Sequence, residues 1–205
     1  MHIPITIRRE RPEDYRDVEV VTREAFWDVY KPGYDEHLIV HKLREIPAFV
    51  GELDLVACEG KRIIGNIMYS KARVLGAAGE MHEVLCLGPI SVLPDHQGRG
   101  IGSRLIVESI SRAQDLGFGG VFLMGNPKYY SRFGFRKAEE FGVLTSDGKS
   151  CDHFMGLALT SGGLAAVSGR FFEDEAFHVG LEELENFEKL FPKMKKHVTP
   201  TQLFS

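Results

Sequence analysis

Apolar residues along this chain change period several times, and each change marks a new element. His2 to Arg8 alternates apolar and polar residues, as a strand with one covered face does. Arg11-Pro12-Glu13-Asp14 then supplies a helix start with acids in its first turn, and Val18, Val21, Ala25 and Val29 recur at three- and four-residue spacing, predicting a helix to about Asp28. After Tyr30-Lys31-Pro32-Gly33-Tyr34, a second helical pattern runs from Asp35 to Glu45 with Leu38, Ile39 and Leu43 inward. Leu53 to Glu59 and Arg62 to Lys71 read as strands joined by Gly60-Lys61, and Gly76-Ala77-Ala78-Gly79 marks the next turn. His82 to Val92 is the longest strand signal. Ile101 to Leu116 is an amphipathic helix with Leu105, Ile106 and Ile110 on one face, stopped by Gly117 to Gly120. A strand Gly120 to Met124 follows, with shorter strand signals at Arg136 to Ala138 and Asp152 to Leu159. The alternation predicts an α/β class, a mixed α+β sheet flanked by helices.

Gly162-Gly163 interrupts the pattern beyond Leu159, after which Gly169 to Phe177 reads as a strand and Leu181 to Lys196 as a helix. Residues 1–160 therefore form the expected domain and residues 161–205 an extension. Phe171, Phe172, Phe177, Phe187, Phe191 and Phe204 are too many large apolar groups for a free tail, so the extension is expected to pack on the same chain. Lys193, Lys195 and Lys196 suit the carboxyl end of the last helix.

Composition narrows the classes. A chain of 205 residues, 43% hydrophobic, can bury one sizeable core. It has no run of about eighteen apolar residues, and Arg8, Arg9 and Glu10 stand where a signal peptide would be apolar, so a cytoplasmic chain without a membrane partner is expected. A net charge of -4 argues against a nucleic-acid partner. Cys58, Cys86 and Cys151 are odd in number and lack metal-ligand spacing, which favours reduced packing residues over a disulfide scaffold or a metal site.

The chemistry concentrates in Leu93-Pro94-Asp95-His96-Gln97-Gly98-Arg99-Gly100-Ile101-Gly102, where a strand pattern gives way to a helix pattern. Glycines there let the backbone turn sharply and approach a ligand, and the first amides of a helix are unpaired donors at its positive end, so a diphosphate would sit there. A Walker loop would end in Gly-Lys-Ser/Thr, but Gly102 is followed by Ser103 and Arg104. A dinucleotide fingerprint would follow a first strand and need an acid about twenty residues on; this loop is mid-chain and the strand near Gly120 carries none.

Gln97, Gly100 and Gly102 fit Gln/Arg-x-x-Gly-x-Gly/Ala, and Tyr129-Tyr130-Ser131-Arg132-Phe133-Gly134-Phe135 follows the next strand. With the opening Ile5-Thr6-Ile7-Arg8 to Arg11-Pro12-Glu13-Asp14, residues 3 to 160 resemble the GNAT superfamily of acyl-CoA-dependent N-acyltransferases. The resemblance implies central parallel strands that splay to admit the pantetheine arm, and acetyl-CoA as acyl donor with no metal. It also implies an amine acceptor attacking in a ternary complex; a homodimer stays open. By the same resemblance Ile90, Ser91 and Val92 would offer main-chain hydrogen bonds to the arm. Gln97, Gly98, Arg99, Gly100, Ile101, Gly102 and Ser103 would hold the pyrophosphate, and Asn126 would bond the arm unless it is an ordinary turn residue. Leu87-Gly88-Pro89 is the place for strand pairing to break, since proline lacks an amide donor and glycine marks bulges.

Attack on a thioester needs a neutral amine, oxyanion stabilisation and a proton for the departing thiolate. Tyr130 aligns with the tyrosine that the family places near the sulfur and is the candidate acid, with Tyr129 as fallback. Glu80, His82 and Glu83 open the long strand, and Glu83 is the first choice of base because it shares a face with Leu85 and Leu87; solvated strand-end residues are the competing reading. Cys86 has no histidine-containing motif to make it a nucleophile. Trp27, Tyr30 and Tyr34 either line the acceptor pocket or staple the first two helices. An acyl-CoA-binding sensor without turnover is the competing function, and it would need neither Tyr130 nor a base.

Overall fold

The computed structural model describes residues 4–199 and 202; His2 and Phe204 lie outside them. In chain order the elements are β1 (Ile5–Arg9), α1 (Tyr15–Phe26), α2 (Glu36–Leu43), β2 (Leu55–Glu59), β3 (Arg62–Leu75), β4 (Met81–Val92) and α3 (Ile101–Asp115). They continue with β5 (Gly120–Met124), α4 (Pro127–Tyr130), β6 (Arg136–Lys137), β7 (Val143–Leu144), β8 (Phe154–Ala158), β9 (Gly169–Phe172) and α5 (Leu181–Glu188). The strands form one mixed sheet in the order β1-β2-β3-β4-β5-β8-β6, with β9 joined to β3 and β7. Neighbours from β1 to β4 are antiparallel, whereas β4 and β5 are parallel.

Side-chain alternation assigns a helix layer to each face. Asn66 of β3 and Ser91 of β4 point to α1, where the buried Thr22 hydroxyl lies 3.1 Å from both Asn66 Oδ1 and Ser91 Oγ. Tyr69, three residues on from Asn66, points the opposite way and its hydroxyl meets Ser109 Oγ of α3 at 2.8 Å. The periodic positions behave as their spacing predicts: Val18, Val21, Leu38, Leu43, Leu105 and Ile106 are buried, each contributing roughly 1.5–3 kcal/mol of apolar burial. Val29 is 41% exposed because α1 has ended three residues earlier.

Differences from the sequence reading lie at element ends. β3 runs on to Leu75 because its last residues are paired on both sides, by β4 and by β9. β9 stops at Phe172, and Glu175–Phe177 is a 3-10 turn capped by the Asp174 side chain. The last helix ends at Glu188, short of the predicted Lys196; Pro192 cannot continue it, so the lysine run caps no helix.

The carboxyl-terminal segment is built into this architecture. Phe187 and Phe191 form a small apolar cluster with Leu38. Glu188 receives a two-pronged bond from the buried Arg23 guanidinium at 2.7 and 3.0 Å, and lies 2.8 Å from His37 Nε2. Trp27 staples this segment and not α2, since its indole N–H donates to the Lys195 carbonyl at 3.0 Å. No helix among the described residues is long and apolar enough to cross a membrane.

Candidate active site

The site begins where the sheet comes apart. β4 and β5 pair only through Leu85 with Val121 and Cys86 with Phe122; β5 then continues against β8 alone. One residue further along β4 the register with β3 slips, because Tyr69 faces Leu87 while Ile67 faces Ile90, and the extra residue falls at Gly88-Pro89. Past that bulge the β4 edge turned toward β5 has no partner strand.

Ladder geometry says which groups that edge presents. In an antiparallel pair, alternate residues direct both main-chain groups to the neighbour and the ones between direct theirs away. Leu93 N–H bonds the Ile64 carbonyl at 3.0 Å, so with this register Ser91 also faces β3, while Ile90 and Val92 face the open edge. This corrects the expectation for Ser91: its main chain is committed to Asn66 of β3, and its hydroxyl bonds Asn66 and Thr22.

Directly after this edge the chain makes a 3-10 turn at Pro94–His96 and enters α3. Gly98 and Gly100 hold φ of +73° and +77°, left-handed values that carry the backbone around the turn, and Gly100 is the amino-terminal cap of α3. The first helical bond of α3 is Arg104 N–H to the Gly100 carbonyl at 3.0 Å. The amides of Ile101, Gly102 and Ser103 thus sit in the turn whose donors find no intrahelical acceptor. Gln97 anchors the loop: its side-chain amide donates to the Val92 carbonyl at 3.0 Å. Arg99 lies over Glu59 at 3.3 Å, beside His96. The loop is exposed, amide-rich and placed at a helix amino terminus, an arrangement suited to a diphosphate.

Across the gap, α4 follows β5. Asn126 is exposed and its Oδ1 accepts the Lys128 N–H at 3.0 Å, so that atom caps α4. Tyr129 and Tyr130 meet edge to face at 5.1 Å and diverge. The Tyr129 hydroxyl lies against α3, where a Cβ on Gly102 would come within 2.8 Å of it. Tyr130 is buried against Phe135, with rings 5.6 Å apart, and no hydrogen bond joins its hydroxyl to a described residue. Burial, then nearby Tyr129, Tyr30, Tyr69 and Glu36, push its phenol above the ordinary range, so it stays protonated and able to donate.

Glu83 lies apart from this gap. Its side chain is 57% exposed and ion-paired with Lys71 at 3.1 Å, and it precedes the β4–β5 pairs, on the end of β4 away from the bulge. Strand alternation was read correctly, but the strand is too long for its first residues to reach the splay. Glu80 accepts an amide bond within the preceding turn, and His82 faces Val74 at the same distal end. Cys86 is buried and its thiol is pushed well up by burial, then by Glu173 and Glu36, which keeps it an inert thiol.

That shift exposes two carboxylates without a sequence signature. Glu36, the first residue of α2, and Glu173, just past β9, come within electrostatic reach of each other and of Cys86, on the α1–α2 face. Glu36 also lies within electrostatic reach of Tyr30, Tyr34 and Tyr130. Tyr34 stacks on Phe26 at 5.8 Å, and Tyr30 leans on Tyr34 at 5.6 Å. Their loop is closed by Asp28, whose carboxylate accepts the Gly33 N–H at 2.7 Å and the His197 N–H at 3.0 Å. An acid opening a helix reads as an ordinary dipole partner, so nothing local distinguished Glu36.

Residues 17–135 match the model of the acetyltransferase (GNAT) family, and the chain belongs to that family. It is 32% identical over 125 residues to the uncharacterised N-acetyltransferase YjhQ of Escherichia coli, a match covering 60% of this chain and 64% of that protein. With the uncharacterised N-acetyltransferase YhbS of the same organism it shares 31% identity over 133 residues, 64% of this chain and 74% of that one. The crystal structure of YhbS with CoA superposes with a TM-score of 0.75 at 26% identity, covering 86% of this chain and 93% of that one. A GNAT acetyltransferase of Brucella melitensis with acetyl-CoA superposes at 0.69 and 32% identity, over 86% and 99%.

Proposed function

We propose that this chain transfers an acetyl group from acetyl-CoA to a primary amine of a small molecule or protein, by direct attack in a ternary complex. The observation that carries the reading is the continuity between a β4 edge at Ile90 and Val92 that no strand covers and a helix start whose first amides have no intrahelical acceptor. That edge suits the amide groups of a pantetheine arm as a missing strand would, and the loop from Gly98 to Ser103 suits the pyrophosphate. Gln97 holds the loop to the edge, Arg99 adds positive charge, and Asn126 shapes the turn that leads to the acid.

In this reading the amine nitrogen bonds to the thioester carbon and the carbon–sulfur bond breaks. The sulfur leaves with the electron pair and takes the Tyr130 hydroxyl proton, and the surplus proton on nitrogen restores the phenol. The test is acetyl-CoA turnover across an amine panel, with thermal unfolding with and without CoA in parallel. Amine-dependent release of free CoA thiol and a rise in melting temperature are expected. A CoA-stabilised chain that acetylates no amine would overturn transfer and leave a non-catalytic acyl-CoA sensor.

A further inference from the structure

The carboxyl-terminal segment is held in two different ways. Up to Phe191 it is anchored by burial: Phe187 and Phe191 pack with Leu38, and Glu188 pairs with an Arg23 that is 5% exposed. Past Pro192, residues 193–199 form no helix or strand, and Met194 and Val198 are exposed. Contacts to one neighbour fix this stretch, the end of α1 and the loop after it. Arg23 donates to Met194 Sδ at 2.9 Å and lies 4.4 Å over the Trp27 ring, whose indole N–H donates to the Lys195 carbonyl at 3.0 Å. The Lys196 side chain lies against Gly33, where a Cβ would come within 2.8 Å of its Cε.

Asp28 ties the two runs of chain together. Its Oδ1 accepts the Gly33 N–H at 2.7 Å, which closes the loop, while Oδ2 accepts the His197 N–H at 3.0 Å and lies 2.9 Å from His197 Nδ1. The Asp28 carbonyl accepts the Gln202 side-chain amide at 2.8 Å. Among the described residues Asp28 is the one non-glycine with positive φ, +60°, so contacts on both sides hold a backbone shape that is unfavourable by itself. The loop it closes carries Tyr30, and Tyr34 follows Gly33; the two rings lie 5.6 Å apart and Tyr34 stacks on Phe26 at 5.8 Å. Tyr30 is within electrostatic reach of Tyr130.

We infer that residues 193–199, with Gln202, are a strap that opens while the domain stays folded, and that Asp28 is the positioning residue through which the closed strap holds Tyr30 and Tyr34 in the acceptor wall. The effect on the acceptor rests on the transfer reading, whereas the strap rests on these contacts alone. Hydrogen bonds at the surface are exchanged for water at little net cost, but the phenylalanine cluster and the Arg23–Glu188 pair resist opening, so release stops at Pro192. With the strap open, the loop keeps the Gly33 bond and loses its contacts to Lys195, Lys196 and His197, so both rings lose their backing. The turn from Gln97 to Ser103 shares none of these bonds, and CoA binding is left unchanged.

Trp27 is the single tryptophan of the chain, so its indole N–H gives one proton resonance whose exchange with solvent reads strap opening. In the full-length wild type that exchange should run ahead of global unfolding followed by circular dichroism in denaturant. Asp28→Asn keeps a residue that tolerates positive φ and an oxygen for Gly33, but puts an amide nitrogen where His197 needs an acceptor. It should speed indole exchange about tenfold, and Gln202→Ala about threefold. Both should leave the CoA-induced thermal shift and kcat unchanged, and Asp28→Asn should raise KM about fivefold for the amine that wild type turns over fastest. Wild-type indole exchange that tracks global unfolding, or exchange unaltered in both variants, would overturn the strap; faster exchange with an unaltered amine KM would overturn the positioning role of Asp28 and leave acetyl transfer standing. A wild-type chain that turns over no amine would overturn transfer and with it the role in the acceptor wall, and the exchange measurements would still decide the strap.

Discussion

The two sides of the cleft are built on different principles. The stretch from Gln97 to Ser103 is contiguous, exposed from Gln97 to Gly100, and built around main-chain amides, with one side-chain anchor from Gln97 to Val92. The α1–α2 side is made of side chains from five separate stretches: Tyr30 and Tyr34, Glu36, Cys86, Tyr130 and Glu173. A diphosphate is the same in every acyl-CoA, and a set of amides at a helix start meets it with no particular side chain. In the proposed reaction an acceptor must be told apart from other amines, which takes charges and rings placed by tertiary packing. The loop is therefore sensitive to backbone geometry and tolerant of side chains, and the opposite wall is the reverse.

Substitutions can break that contrast. Gly100→Val forces a β-branched residue into φ +77° and should abolish the CoA-induced thermal shift while the chain stays folded. Glu188→Ala removes the partner of a 5% exposed Arg23 and should cost about 3 kcal/mol in chemical denaturation; it loosens the wall carrying Tyr30 and Glu36, so the amine KM should rise with CoA affinity unchanged. Tyr130→Phe should lower kcat about 10²-fold with CoA affinity unchanged, and an unaltered kcat would remove Tyr130 from the acid role.

Asp14 fixes the 3-10 turn that leads into α1, accepting Arg8 at 2.6 Å and the Arg11 N–H at 2.9 Å, and the Arg8 bond holds its carboxyl below the usual range. A depressed folded-state pKa gives stability that is complete above the unfolded value and vanishes as pH falls through the folded one. Asp14→Asn should therefore cost about 2 kcal/mol at neutral pH, and denaturation curves of variant and wild type should begin to approach each other below about pH 4 and meet only below the depressed folded value. Gly102→Ala is the mildest, since its Cβ would meet the Tyr129 hydroxyl at 2.8 Å. CoA affinity should fall about tenfold, with Tyr129→Phe restoring part of it in titration calorimetry.

What could be read from the residues alone follows the same division. Spacing located the covered faces of α1, α2 and α3, and the glycine run marked a helix start after a strand, because periods of two and 3.6 residues and positive-φ turns are local properties. Ile90 and Val92 were legible as strand residues. That Ser91 between them is turned to β3 depended on the register across the Gly88-Pro89 bulge. Glu83 was legible as sharing a face with Leu85 and Leu87, but its distance from the gap was set by where the β4–β5 pairs fall.

Local sequence thus determined the elements and the glycine turn proposed to hold the diphosphate, since hydrogen bonds between near neighbours need no distant partner. Tertiary structure decided which carboxylates lose their water: Glu36 and Glu83 are the same side chain, one desolvated by burial within reach of Tyr30, Tyr34, Tyr130 and Glu173, the other left beside Lys71 in solvent. Desolvation depends on everything that packs around a group, and residues that are far apart in the chain supply it.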